Sequence, residues 1–453
     1  MPESRVLVPA GMLGAGFTQE ALDRGVALGA DAIAIDGGST DSGPHYLGAA
    51  VGKMPAEAVA ADLRMMLTTA QRAGIPVIVG TAGTSGTDTG VDWVAGMVED
   101  IARDEGLTLR LARIYSEQSP DDLVERLGAG RIHPLPPAGD LEAATLRRCE
   151  HIVGLMGAEP FIAALDAGAD VIIAGRATDT AVIAAVPLRA GCPPGPAWHG
   201  AKTAECGGQC TTDPRGGGVL VVVDDDGFTI DPLEEATTCT PQSVAAHMIY
   251  ENADPHRMRE PSGTLDVTDA SYESLDERRV RVTGSVFVEE APTVKLEGSG
   301  IAGYQSLAIA GIKDPEVLAS IDVWAKSLRD FVAAKVLDVL GLDDSDVRVE
   351  VRCYGWNAVL GDLDPDRSPP REVGAVLIAT AADQETATKV VKLANPYLLH
   401  MPLPGMDHLP SFAFLSSPAE MARGALYEFL LQHVVEVDDP AELFRTEITE
   451  VTP

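Results

Sequence analysis

The sequence predicts an α/β N-terminal domain on a mostly parallel sheet, residues 1–230, followed by a smaller α+β domain, residues 231–453. Three observations predict it. Short apolar runs recur through the first half, each leaving through a glycine-rich or polar loop into a helical pattern, which is the rhythm of strand–loop–helix units around a parallel sheet. Beyond Asp224-Asp225-Asp226-Gly227 the pattern turns to apolar–polar alternation, as in 280–288, the mark of antiparallel strands covered on one face. The chain has 453 residues, more than one hydrophobic core usually serves.

Taken in order, 5–9 reads as the first strand, Gly11 to Gly16 as a turn, and 18–28 as a helix. The run 31–36 is a second strand ending on Asp36, followed by a helix over 55–73 stopped by Gly74 and a third strand at 75–79. The loop 80–90 then opens a helix near Trp93, 109–114 is a fourth strand, and 121–127, 141–149 and 159–167 carry helical patterns around a proline-rich break at 134–137. The run 169–174 is a strand leading to Gly175-Arg176-Ala177-Thr178-Asp179, where Thr178 or Asp179 caps a helix through 186. A further strand, 219–223, precedes the domain boundary expected near 225–235. In the second domain 315–340 and 384–394 read as helices, and 347–352 and 373–380 as strands.

Composition narrows the function classes. Acidic residues outnumber basic ones by 68 to 34, a net charge of −34 that repels polyanions and excludes nucleic acid as the expected partner. Six cysteines at 149, 192, 206, 210, 239 and 353 form no Cys-x-x-Cys pair, so neither a disulfide framework nor a structural zinc site is expected. No run is long and apolar enough to span a membrane, and the first residues carry no secretory plan, so a cytoplasmic protein is expected.

The chemistry concentrates at strand exits, where ligands of parallel sheets bind. Asp36-Gly37-Gly38-Ser39-Thr40-Asp41-Ser42-Gly43-Pro44-His45 brings carboxylates, hydroxyls and an imidazole together after the second strand. Asp36, Asp41 and His45 suit acid–base work or a divalent metal ion, the one cofactor the residue types suggest. The glycines of 80–90, with Thr84 and Ser85, suggest backbone amides free for an anion at a helix start. Arg176 is placed to hold a carboxylate or phosphate with a free guanidinium fork, the alternative being a structural ion pair. Glu205 and Cys206 precede glycines that let a ligand approach the backbone. Cys206 has no adjacent basic residue to lower its pKa and is not expected to act as a nucleophile. A dinucleotide site is also raised by Gly11, Gly14 and Gly16 with Asp36 beyond, but the glycine order is not the usual one.

Several stretches together resemble one family: Val8-Pro9-Ala10-Gly11-Met12-Leu13-Gly14, the loop 36–48, the segment 175–181, Glu205 to Gln209, and Lys295-Leu296-Glu297-Gly298 with 303–304 and 310–315. This set resembles the acyclic terpene utilisation AtuA family, over about residues 5–400. The resemblance implies a catabolic setting around acyclic terpene or branched carboxylate breakdown, often beside a small companion protein, and supplies no catalytic residues. The favoured reading is a hydratase or lyase acting on a small carboxylate or acyl thioester. Its catalytic set is Asp36, Asp41, His45, Glu205 and Cys206, and its substrate-contacting set Ser39, Thr40, Thr84, Ser85, Arg176, Asp179 and Gln209. A homo-oligomer is expected. The rival is a non-catalytic ligand-binding or scaffold subunit, with a nucleotide-dependent oxidoreductase behind it. The loops 36–48, 80–90 and 175–180 are expected to meet in one cleft, joined on the strength of the resemblance by 205–210.

Overall fold

A computed structural model describes residues 2–365 and 368–453. They form two compact units, Met1–Gly300 with Glu428–Pro453, and Ile301–Tyr427.

In the first unit the buried apolar runs become β1 (Ser4–Val8), β2 (Ala32–Asp36), β3 (Val77–Gly80), β4 (Leu109–Tyr115) and β5 (Val171–Ala174). They pair in parallel in the order β1-β2-β3-β5-β4. Successive side chains point to opposite faces. Val6, Ala34 and Ile78 therefore join the core on one side with the helices Asp179–Arg189 and Pro194–Ala204. Leu7, Ile33, Ile35 and Val79 join the other with Gln19–Ala27, Ala56–Ala73 and Asp88–Glu105. Burial on both faces is why these strands lack alternation and read as continuous apolar runs.

The sheet is mixed rather than mostly parallel. On the β1 side it continues antiparallel through β6 (Val219–Val223), β7 (Gly227–Pro232), β9 (Val280–Thr283) and β8 (Ser271–Ser274). On the β4 side it is closed by the antiparallel strand Arg445–Val451. The acidic turn 224–227, read as a boundary, is thus a hairpin between β6 and β7. Asp224 Oδ1 accepts the Asp226 and Gly227 amides, and Asp224 pairs with Arg281. The expected division at 225–235 overlaps the second strand of that hairpin, and the two compact units divide instead within β10 (Thr293–Ile312).

The second unit is α+β. Strands Val347–Tyr354 and Val373–Ala381 pair antiparallel, and the latter also pairs with residues 304–312 of β10. The helices Ile321–Leu340 and Gln384–His400 cover one face of this sheet around Trp324 and Leu398. The expected helix 315–340 is two, Pro315–Ala319 and Ile321–Leu340, broken at Ser320. No helix among the described residues is long and apolar enough to cross a membrane.

Candidate active site

The loops that follow the parallel strands line two adjoining hollows of the first unit, about 610 and 530 Å3, which share Ser39, Asp41, Asp179 and Glu251. Asp36, Cys206, Gln209 and Lys53 border the first, and Thr40, Arg176, Lys202, Glu205, Glu260 and Glu297 the second. Three of the four expected loops, at 36–41, 176–180 and 205–209, therefore meet in one cleft. The fourth, 80–90, lies beneath it.

That fourth loop is a support, because its polar groups are turned on the protein itself. Thr84 Oγ1 donates to the Gly37 carbonyl at 2.9 Å, and Ser85 Oγ lies 2.9 Å from Thr87 Oγ1. The amides of Thr81, Ala82 and Gly86 donate to the carbonyls of Gly175, Ala174 and Ala82, and the Asp88 amide donates to Glu117. Most of the loop's amides are thus spent on the protein itself, and neither Thr84 nor Ser85 borders the cleft. Four non-glycine residues among those described have positive φ; two of them, Thr81 and Thr84, belong to this loop, and a third, Glu251, borders the cleft. For a β-branched threonine this is strained backbone, held only where the surroundings insist on it.

The turn 11–16 shows the same economy. Asp62 Oδ2 accepts the amides of Gly14 at 2.8 Å and Gly16 at 3.2 Å, so a buried carboxylate stands where a dinucleotide reading needs a pyrophosphate.

Arg176 is buried, and its fork is not free. Its Nη1 and Nη2 donate to the carbonyls of Gly38 at 3.1 Å and Thr84 at 3.2 Å. Its Nε lies 3.1 Å from Glu297 Oε2, an ion pair off the ideal hydrogen-bond direction. Glu297 in turn accepts from Thr40 Oγ1 at 2.6 Å and faces Lys295 at 3.7 Å. The arginine thus ties the 36–41 and 80–90 loops to β10, the structural alternative weighed from the sequence.

The acid–base groups lie around it. Asp36 Oδ2 accepts the Gly38 amide at 2.6 Å, while the buried Oδ1 lacks a well-aligned partner, although the Thr81 hydroxyl steadies the charge. Burial outweighs these bonds and the Arg176 charge and raises the Asp36 carboxyl to about 6. Burial, then the charges of Asp36 and Glu205, holds Asp179 well above the usual carboxylate range. Thr178, not Asp179, caps the helix Asp179–Arg189, which leaves the Asp179 side chain to the cleft. Burial raises Glu205 to about 7 against the pull of Lys202, whose ammonium donates to Glu205 Oε1 at 2.5 Å and to the Tyr250 carbonyl at 2.8 Å. Glu260, held by the hydroxyls of Thr178 and Thr180, is also raised by burial to about 7.

The remaining expectations divide. Burial, then the Glu205 charge, pushes the Cys206 thiol up, so it stays protonated and is no ready nucleophile. Asp41 is exposed at the rim and takes the Ser39 hydroxyl. His45 is exposed in the helix Pro44–Ala49, against Tyr46, and does not border either hollow. An ion shared by Asp36, Asp41 and His45 is therefore not what the geometry offers. The chain's described groups that could hold a metal are Glu205, Cys206 and His247, whose ligand atoms lie within 4.8 Å of one another.

Sequence reasoning missed Lys202, His247, Tyr250, Glu260 and, as a hub, Glu297. Lys202 stands three residues before Glu205, on the same helix face, and that spacing could have found it. His247 and Glu260 come from distant elements, and no local pattern announces them.

The sequence model of the acyclic terpene utilisation family protein AtuA matches residues 51–189 and 204–432. The chain belongs to that family. The match takes in Arg176, Asp179, Glu205 and Glu297, whereas Asp36 and its loop precede the matched residues. No curated protein and no solved structure matches the chain.

Proposed function

We propose that this AtuA-family protein is a hydro-lyase of acyclic terpene or branched-acid breakdown, acting on a small branched carboxylate or its thioester in the cleft of the first unit. The observation that carries the reading is the buried Asp36 carboxyl, raised to about 6, beside Asp179, which holds its proton well above the usual range. Two neighbouring carboxyls, both raised by burial, can exchange protons near neutral pH, one serving as base and the other as acid. Asp36 takes the proton α to the carbonyl, and Asp179 gives its proton to the β-hydroxyl, which leaves as water. Lys53 and Lys295 are cations bordering the two hollows that suit a substrate carboxylate. Arg176 and Glu297 act as positioning residues. Homo-oligomeric assembly and a small companion subunit are part of the same proposal.

The test is turnover of branched 3-hydroxyacyl and enoyl thioesters, and of the free acids, by purified protein with and without its genomic neighbour. Asp36→Asn is expected to lower kcat by about a thousandfold with little change in KM. Equal turnover in that variant overturns the reading, and turnover by the neighbour alone supports the rival of a scaffold subunit.

A further inference from the structure

The helix Pro194–Ala204 ends on Glu205, and the next residue, Cys206, faces the first hollow. The last turn of the helix Pro241–His247 brings His247 to the same place. The carboxylate, thiol and imidazole ligand atoms lie within 4.8 Å of one another, a mutual spacing that small side-chain shifts bring to metal-ligand distance.

His247 makes this more than a chance grouping. Its side chain is 4% exposed and its Nε2 is buried with no hydrogen-bond partner, 3.9 Å from Glu205 Oε1 and beyond bonding reach. A buried imidazole nitrogen left this way is costly, and an ion at the centre of the three groups supplies what it lacks. The Tyr250 ring stacks on the imidazole, with centroids 5.3 Å apart and planes at 17°, and fixes its aim. Beyond Cys206, Asp36, Asp41, Asp179, Glu234 and Glu251 border the first hollow against Lys53 and Arg215, while the Lys202 ammonium is the cation nearest to Glu205.

We propose that Glu205, Cys206 and His247 form a three-ligand site for a divalent transition-metal ion, zinc or cobalt in character, with the fourth position open to the cleft. A mixed sulfur, nitrogen and oxygen set suits these ions and not magnesium or calcium, and three protein ligands with one open position is the plan of a site that presents the ion to a substrate. Binding replaces the Cys206 thiol proton, which leaves to solvent, so thiolate and carboxylate together balance the ion's two charges. Lys202 holds Glu205 from the side at 2.5 Å and orients it. The site stands on these three residues whether or not Asp36 and Asp179 carry the reaction proposed above.

The full-length protein, stripped with chelator, is titrated with cobalt(II) chloride and then with zinc(II). One equivalent of cobalt is expected to bind with a thiolate-to-cobalt absorption in the near ultraviolet, and zinc is expected to abolish the band. Cys206→Ser removes the band, while His247→Gln keeps it but weakens binding at least tenfold, circular dichroism confirming that both variants are folded. If His247→Gln does not fold, the Cys206→Ser result decides. An absent band in the wild type, or an undiminished one in Cys206→Ser, overturns the proposal, and neither readout depends on turnover.

Discussion

The guanidinium of Arg176 bridges the Gly38 and Thr84 carbonyls and the Glu297 carboxylate inside the first unit. A lysine carries the charge but has one point of attachment where the arginine reaches three. Arg176→Lys is therefore expected to destabilise the protein by about 2–4 kcal/mol in urea unfolding, because carbonyls and a buried carboxylate lose partners. A normal unfolding midpoint with weakened ligand binding would instead return the residue to the role of a free anion clamp. Asp36 makes the opposite prediction. Folded, its carboxyl keeps its proton to about pH 6 against the ordinary 3.8. The folded state thus binds the proton more tightly, and stability is lost as pH rises from about 4 through 6. Asp36→Asn removes that cost and can still accept the Gly38 amide, so thermal unfolding at pH 8 is expected to show a gain of roughly 1–3 kcal/mol, vanishing at pH 4. A variant that is less stable at both pH values contradicts the assignment. Chemistry was legible at this scale only as residue type. The sequence places Arg176 and Asp36 at strand exits, but what each side chain faces depends on Glu297 and Asp179, more than a hundred positions away.

At the scale of elements, the loop 80–90 seats the residues above it through its backbone. Gly86 has φ +64, and a Cβ there would lie 2.7 Å from the Arg176 amide nitrogen. Gly86→Ala is expected to cost at least about 1–2 kcal/mol from conformation alone and to lower activity by moving Arg176. Differential scanning calorimetry beside the turnover assay checks it, and an unchanged melting temperature shows that the loop yields freely. The parallel strands were readable because burial on both faces leaves unbroken apolar runs, as in 31–36 and 169–174. The hairpin of β6 and β7 was misread because an acidic turn looks the same in sequence whether it joins two strands or two domains. The glycine loops at 11–16 and 80–90 suggested anion sites for a similar reason: glycine signals an unusual backbone, and not where the amides point. Asp62 and Glu117 fill those positions from far away in the chain.

For the molecule as a whole, the net charge of −34 is matched by a site whose key groups are carboxyls kept partly neutral by burial, against the pull of Arg176 and Lys202. That is the arrangement expected of groups that exchange protons with a substrate. Its most direct test is incorporation of deuterium from D2O at the α-carbon of branched carboxylates and acyl thioesters, followed by proton NMR across pH. The expected result is exchange that falls away as pH drops through about 6, where Asp36 takes up its proton, and that disappears in Asp36→Asn. Exchange at the wild-type rate in Asp36→Asn, or none from any probe with the wild-type protein and its genomic neighbour present, would contradict it.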